Sequence, residues 1–230
     1  QNEAGTGLAQ RAKRGMIEAV APLTSTPPFG ALGPAQRLAN IAKARTAVMY
    51  EGARSPDANL IASTYVEPGI TRSWQRCMER GQLPEQAVQF EAVSAPMQRR
   101  FADHNRQLRD AGRSVIDAMQ HTLARTGYFA LLTNAQGMVV DTGGPIDRHD
   151  PRAIAIARVG LDLSEQAVGT TAIGAALAEL KPVWLHRGEH FFAGTAVYSC
   201  AGAPIFGSDG ACMGMLDLTG IEAPERRELQ

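Results

Sequence analysis

Apolar residues in the first part of the chain recur at the three- and four-residue steps of amphipathic helices. One such pattern covers residues 34–52, where Pro34 suits a first helical turn. Ser55 and Pro56 open a second pattern in the same way, and the stretch ITRSWQRCMERG at 70–81 carries a third apolar stripe. We therefore expect a series of short helices before any strand.

The longest helical pattern runs from Ser94 to Gly127. Its seam follows steps of four and three, all apolar except His104: Met97, Phe101, His104, Leu108, Ala111, Val115, Met119 and Leu123. Such a heptad-like seam fits a second copy of the chain as well as it fits the chain's own core. A homodimer formed through helices and plain intramolecular packing therefore remain alternative interpretations.

Beyond Gly127 the pattern changes to short strands and turns. A hairpin is predicted around the turn NAQG at 134–137, and Ser164 and either Thr170 or Thr171 are placed to cap two short helices. Later strands are expected at 181–187, 189–192, 195–206 and 211–220. The last is apolar on both faces, which is typical of a covered central strand. Since helices flank the strands instead of alternating with them, the predicted fold class is α+β.

These patterns divide the chain into four parts. Prolines and glycines interrupt residues 1–33 too often for an element to grow, so a flexible tail or linker is expected there. An N-terminal helical segment follows at 34–93, and the sheet-containing domain with its leading long helix covers 94–222. Residues 223–230 would form a connector.

Composition narrows the function classes. Lys+Arg and Asp+Glu both number 23, so the formal net charge of +0 offers no electrostatic surface for nucleic acid or an anionic membrane. No apolar run approaches the ~20 residues of a membrane span, and a cytoplasmic location is expected. The three cysteines form no C-x-x-C pair, which favours reduced thiols over a structural zinc site.

HRGEH at 186–190 has the H-x-x-E-H form of a zinc-peptidase signature. That chemistry needs both histidines on one helical face, whereas the neighbouring residues favour strands. On a strand, His186 and His190 would lie roughly 13 Å apart, too far for one zinc ion. A metalloenzyme using these histidines and Glu189 is therefore only an alternative hypothesis.

Five stretches in order resemble one family: ITRSWQRC at 70–77, LTNAQGMVVDTGG at 132–144, LSEQAVGTTAIGAAL at 163–177, GEHFF at 188–192 and SCAGAPIFGSDGACMGMLDLTG at 199–220. The resemblance is to the amino-terminal sensory region of AcoR-type (acetoin catabolism regulator-like) transcriptional activators that work with sigma-54 RNA polymerase. Thr171 and Gly202 depart from the family's usual pattern near the expected cavity.

The resemblance implies a GAF-like fold, an antiparallel sheet flanked by helices. It also implies a non-enzymatic sensor that binds a small oxygenated metabolite, such as acetoin, another ketone, a diol or an alcohol. Promoter DNA and sigma-54 polymerase would be contacted only through an AAA+ ATPase and a DNA-binding domain outside this chain. No cofactor, metal or catalytic residue is expected. The implied ligand-binding residues are Glu165, Thr170, Trp184, His190, Phe192, Tyr198 and Cys200. A protein-docking module without ligand is the remaining alternative.

Overall fold

A five-stranded antiparallel sheet lies at the centre of the described part of the chain, which in this computed structural model comprises residues 33–52, 57–91 and 93–226. Its strands are β1 Tyr128–Asn134, β2 Val139–Gly143, β3 Val183–His186, β4 Tyr198–Phe206 and β5 Cys212–Ile221. Their order across the sheet is β2-β1-β5-β4-β3. The strand predicted to be central, β5, is the middle one.

The β1–β2 hairpin forms as its turn residues predict. The Asn134 side chain accepts hydrogen bonds from the backbone N–H groups of Gln136 and Met138. Gly137 has a φ of +82°, and a Cβ there would lie 2.9 Å from Ser164 Cα. The absence of a side chain at Gly137 therefore lets the turn lie close to Ser164, at the start of a later helix.

Helices cover both sides of this sheet, which confirms the predicted α+β class. They are α1 Pro34–Arg45, α2 Ala58–Tyr65, α3 Pro68–Glu79, α4 Ala95–His104, α5 Arg106–Leu123, α6 Pro151–Ile156, α7 Glu165–Val168 and α8 Ala172–Glu179. A π-helical segment, Thr46–Glu51, continues α1. Ser164 caps α7 and Thr171 caps α8 through their hydroxyl oxygens, as predicted.

Alternate residues of each strand point to two different surfaces. We call the surface carrying Tyr128, Trp184 and Leu218 the back face, and α5 packs against it through Ile116 and Leu123. The surface carrying Leu131, Cys200 and Asp217 is the front face. Helices α7 and α8 cover it, and α3 packs outside them.

Two predicted elements differ from those observed. The helix expected from Ser94 to Gly127 is broken at Asn105, whose side-chain amide donates to the carbonyl of Phe101 at 2.9 Å and competes with the helical backbone. The strand expected at 189–192 is absent from the described residues there. A 3-10 turn over Arg187–Glu189 replaces it, because the Glu189 carboxylate accepts the His186 backbone N–H at 2.7 Å.

Some expectations fall on residues outside the described ranges. These are the tail at 1–32, the helix start at Ser55 and Pro56, and the connector residues 227–230. The assignment of domain boundaries at 34, 94 and 222 stays a prediction. Within the described ranges, no helix has the length and apolar character needed to cross a membrane.

Candidate ligand cavity

A small cavity lies between the front face of the sheet and the helices that cover it. Its water-accessible volume is about 30 Å³. One water molecule needs roughly 10–15 Å³ on this measure, so the cavity has room for only a few atoms as it stands. Its wall is mainly apolar, with side chains such as Phe90, Leu131, Ile156, Leu163, Val168, Ala172 and Ile173.

The polar part of the wall comes chiefly from β4, β5 and the loop after β3. Asp217 and Thr219 on β5, Cys200 on β4 and His190 in the loop all line the cavity. Asp217 is 1% exposed. The Thr219 hydroxyl donates to its Oδ2, whereas its Oδ1 has no hydrogen-bond partner among the described residues. One residue of the cavity wall therefore carries a buried oxygen without a hydrogen-bond partner in the described chain.

Burial raises the pKa of Asp217 to about 7, although the hydrogen bond from Thr219 opposes the rise. An ionised carboxylate in this position would face an apolar wall without a cation, since no lysine or arginine of the described chain lines the cavity. The protonated acid is thus a substantial species near neutral pH.

His190 and Cys200 present a weak hydrogen-bonding pair to the cavity. Burial lowers the pKa of His190 to about 4, so its imidazole is neutral at pH 7. Nδ1 lies 3.0 Å from the Arg187 carbonyl oxygen, which can only accept, and Nδ1 must therefore carry the proton. Nε2 is then an acceptor, 3.6 Å from the Cys200 sulfur. Burial raises the pKa of that thiol, which keeps it a neutral donor.

Tyr198 gives the cavity its ring but not a free hydroxyl. The phenol donates to the Arg152 carbonyl at 3.2 Å, and burial raises the pKa of Tyr198 to about 12. The hydroxyl was expected to be a partner for ligand oxygen; in the structure it holds α6 against β4 instead.

Glu165 and Thr170, also expected at the ligand, lie outside the cavity wall and bind α3. The Glu165 carboxylate accepts from Arg76 at 2.7 and 2.8 Å and from Arg80 at 2.8 Å. The Ser73 hydroxyl donates to Glu165 at 2.5 Å and lies 2.8 Å from the Thr170 hydroxyl, from which it can accept. Burial alone would raise the pKa of Glu165, but the hydrogen bonds from Arg76, Ser73 and Arg80 lower it. These two residues fasten the covering helices to α3.

Trp184 and Phe192 also lie outside the wall. Trp184 is on the back face, with its ring centroid 6.2 Å from that of Tyr128 and its Nε1 donating to Glu225 at 3.2 Å. This differs from its expected place beside the ligand. Phe192 packs beneath the turn between α7 and α8, where a Cβ on Gly169 would meet its ring at 2.8 Å. Of the seven expected residues, His190, Tyr198 and Cys200 are brought together at the cavity.

The HRGEH stretch has structural partners throughout. The His186 ring contacts the Ser199 hydroxyl at 2.8 Å on the back face, while His190 lines the cavity on the front. Arg37 donates to the Glu189 carboxylate at 2.6 Å. The described residues contain no group of three or more His, Cys, Asp or Glu placed to hold a metal ion. The spacing that resembles a zinc signature thus builds a turn closed by Glu189.

Comparison with known proteins gives the chain a family. The family profile described as "MimR, N-terminal domain" matches residues 38–225, which is most of the chain and includes the cavity and its helices. The chain belongs to this MimR N-terminal domain family. The resemblance to the sensory regions of AcoR-type regulators is thereby confirmed.

Named relatives of this MimR-type domain are transcriptional regulators. The chain is 32% identical over 164 residues to the "Acetoin catabolism regulatory protein" of Cupriavidus necator, covering 70% of the chain and 24% of the relative. It is 29% identical over 165 residues to the "Propane 2-monooxygenase operon transcriptional activator MimR" of Mycolicibacterium smegmatis, covering 71% and 26%. The chain spans about a quarter of the length of these relatives.

A solved structure supports the fold. The complex titled "Crystal Structure of the E.coli DhaR(N)-DhaL complex" contains a chain that matches this one with a TM-score of 0.59 at 17% identity, over 67% of this chain and 53% of that chain. At this identity the likeness concerns the fold alone. It agrees with the predicted GAF-like arrangement of an antiparallel sheet flanked by helices.

Sequence reasoning missed the most polar residues of the cavity, Asp217 and Thr219. The pattern of residues 211–220 predicts a central strand that is apolar on both faces. A single acidic residue inside such a strand was the available signal, because a buried carboxyl needs a specific partner or a function. Phe90, in the segment after α3, carried no comparable signal.

Proposed function

We propose that this domain senses a small oxygenated metabolite, such as acetoin, another ketone, a diol or an alcohol, in the front-face cavity. In a longer protein of the AcoR type it would pass the signal to an AAA+ ATPase and a DNA-binding domain acting with sigma-54 polymerase. The observation that carries the proposal is the cavity itself, whose mainly apolar wall includes a few polar residues. The regulatory names of the relatives support the same function.

The size of the cavity indicates how binding would produce a signal. A ligand with about six non-hydrogen atoms needs more room than the present space, and we infer that the covering helices α7 and α8 move outward on binding. Those helices are tied to α3 by ion pairs from Arg72 and Arg76 to Glu179 and from Arg76 and Arg80 to Glu165. A ligand that favours one position of α7 and α8 therefore shifts α3 as well.

Affinity is limited by ligand size. A ceiling near 1.5 kcal/mol per non-hydrogen atom allows at most about 9 kcal/mol for an acetoin-sized molecule, which corresponds to micromolar dissociation constants or weaker. The direct experiment is a thermal-unfolding screen of the chain against small ketones, diols and alcohols. A ligand at a hundred times its dissociation constant adds roughly 2.7 kcal/mol of stability.

The screen has a matched pair of variants within α8. Ala172 is buried and lines the cavity, so Ala172→Leu should fill the space and remove the ligand-dependent shift. Ala178 is exposed on the same helix, and Ala178→Leu should leave the shift intact. Equal shifts in both variants would place binding elsewhere and contradict the proposal.

A homodimer through helices is part of the same proposal. Met97 on α4 and Val115 on α5 are 54% and 48% exposed, as residues of an unburied seam would be. Sedimentation analysis of the wild type and of a Met97→Glu, Val115→Glu double variant tests it. A monomeric wild type at high protein concentration would rule out this interface.

A further inference from the structure

The carboxyl of Asp217 is the most unusual polar group of the front face. It occupies the middle of the central strand, paired with Leu131 on β1 and Gly202 on β4. Thr219 satisfies its Oδ2. Its Oδ1 is buried and has no hydrogen-bond partner among the described residues, and Asp217 is one of the residues that line the cavity. Native proteins satisfy such buried atoms, so this one requires an explanation.

We propose that Asp217 is the specificity-determining residue of the cavity and that its Oδ1 hydrogen-bonds directly to the oxygen of a small neutral ligand. The inference rests on the proposed sensing function and names the group that recognises the metabolite. Other polar groups of the wall already have partners within the protein. Thr171 caps α8, Thr195 donates to the Phe192 carbonyl and Tyr198 donates to Arg152.

The ligand that fits Asp217 is uncharged. Neither lysine nor arginine lines the cavity in the described chain, so nothing there would neutralise a carboxylate ligand, and Asp217 itself would repel one. A cationic amine would find one carboxyl in an otherwise apolar space too small for its hydration shell. A ketone, an alcohol or a hydroxyketone meets both conditions.

The protonation state of Asp217 decides which of these ligand groups can form a hydrogen bond with it. The protonated acid donates from Oδ1 to either a carbonyl or a hydroxyl oxygen, whereas the carboxylate can only accept, and therefore binds a hydroxyl but not a ketone. The pKa of about 7 places both forms within reach of ordinary buffers.

The other titratable groups that face Asp217 across the cavity keep one form over this range. His190 titrates near 4 and Tyr198 near 12, and the Cys200 pKa is raised well above its usual value. Leu131 on β1 and Ile156 on α6 contribute apolar side chains, and Val168, Ala172 and Ile173 do so on α7 and α8. A pH-dependent change in ketone binding near neutrality can therefore be assigned to Asp217.

Butanone and sec-butanol make a suitable pair of probes, because they have the same carbon skeleton and differ in carbonyl against hydroxyl. Their dissociation constants are measured on the whole chain by NMR titration at about pH 6 and about pH 8. With a pKa near 7, the protonated fraction falls about tenfold over this interval, and the affinity for butanone should fall about tenfold with it. The affinity for sec-butanol should change by less than about threefold, since both forms of Asp217 can bind a hydroxyl.

Two substitutions complete the experiment. Asp217→Asn offers an N–H donor at every pH, so butanone affinity should become independent of pH at its wild-type acid value. Asp217→Leu offers neither donor nor acceptor and should weaken both probes about tenfold or more. Thr133→Val is the matched control, because Thr133 is another buried front-face residue whose hydroxyl has no partner in the described chain, yet it does not line the cavity.

The outcomes separate the inference from the function on which it rests. Unchanged affinities and pH dependence in both Asp217 variants would overturn the role of Asp217 while leaving the sensing function intact. Failure of both probes to bind the wild type would overturn the sensing of small ketones and alcohols, and the role of Asp217 with it. Should Asp217→Leu fail to fold, the pH profile of Asp217→Asn still decides.

Discussion

The two faces of the sheet are built from the same strands but with different chemistry. The back face packs Leu132, Ala201 and Leu218 against α5. The front face replaces such residues by Thr133, Cys200 and Asp217, and leaves a cavity between the sheet and its covering helices. Both faces bury apolar clusters, and the larger one lies on the front face. The difference is that the front face also retains polar groups whose burial costs stability unless something binds them.

The largest expected loss of stability comes from a substitution on the back face. Trp184→Ala removes a side chain that is 2% exposed and packed beside Tyr128, so it should lower the free energy of unfolding by about 3–5 kcal/mol. Urea denaturation measures the loss. Trp184→Phe keeps most of the volume and should leave ligand affinity unchanged. Weaker ligand binding in Trp184→Phe would show that the two faces are not separate in function.

The next effect tests the attachment of the covering helices. Glu165→Ala leaves Arg76 and Arg80 without their shared carboxylate and Ser73 without one acceptor. Loss of one partner of a buried pair costs about 3–5 kcal/mol, and partial exposure of both arginines reduces this to about 2 kcal/mol.

The pKa of Glu165 is lowered, so its contribution is present above the unfolded pKa near 4.3 and is lost as the pH falls through the lower folded value. Wild type and Glu165→Ala should therefore converge in stability on acidification. If urea unfolding shows the same difference in free energy between the two proteins at every pH down to the most acidic, the charge of the Glu165 carboxylate contributes nothing to stability.

A substitution at the cavity, Asp217→Asn, is expected to raise the free energy of unfolding instead of lowering it, and by a smaller amount. The folded-state pKa of Asp217 is raised, so its stabilising contribution is present below the unfolded value near 3.9 and is lost as the pH rises toward about 7. Asp217→Asn cannot ionise and should stabilise the unliganded chain by about 1–3 kcal/mol above neutral pH. Chemical unfolding at several pH values checks this; a destabilised variant at alkaline pH would mean that the carboxylate has a partner.

The smallest effect concerns Thr133. Its buried hydroxyl has no partner within the described residues, and Thr133→Val should raise the free energy of unfolding by up to about 1 kcal/mol. Differential scanning calorimetry of the variant and the wild type resolves a change of this size. A clear loss of stability would indicate that Oγ1 binds a water molecule. The front face would then contain fewer polar groups without hydrogen-bond partners than the comparison of the two faces assumes.

Sequence patterns predicted most of the elements but not their orientation. The patterns predict β1, β3, β4 and β5, and residue type predicts caps at Ser164 and at either Thr170 or Thr171, of which the structure uses Thr171. The face occupied by Trp184 depends on the register of β3 against β4, which pairs it with Ala201. Register is set by the assembled sheet, so local periodicity could not place this side chain.

The same limit applies to the candidate site. Glu165, Thr170 and Tyr198 have residue types suited to ligand binding, but α3 and α6 supply partners that are distant in sequence. Asn105 breaks a pattern that periodicity alone predicted to be continuous. Both failures come from hydrogen bonds of particular side chains, which hydrophobic spacing does not describe.

Arg45 at the end of α1 donates to the carbonyl oxygens of Gly188, His190 and Phe191, and Trp74 on α3 donates to that of Glu189. The loop that carries His190 to the cavity is thus anchored by residues more than a hundred positions earlier. A chain shortened to begin at residue 94 would retain every strand but leave those carbonyl oxygens without their hydrogen-bond donors, so a test of the proposed metabolite binding on it would not represent the whole domain. Biochemical work on the isolated sheet should keep the leading helices attached.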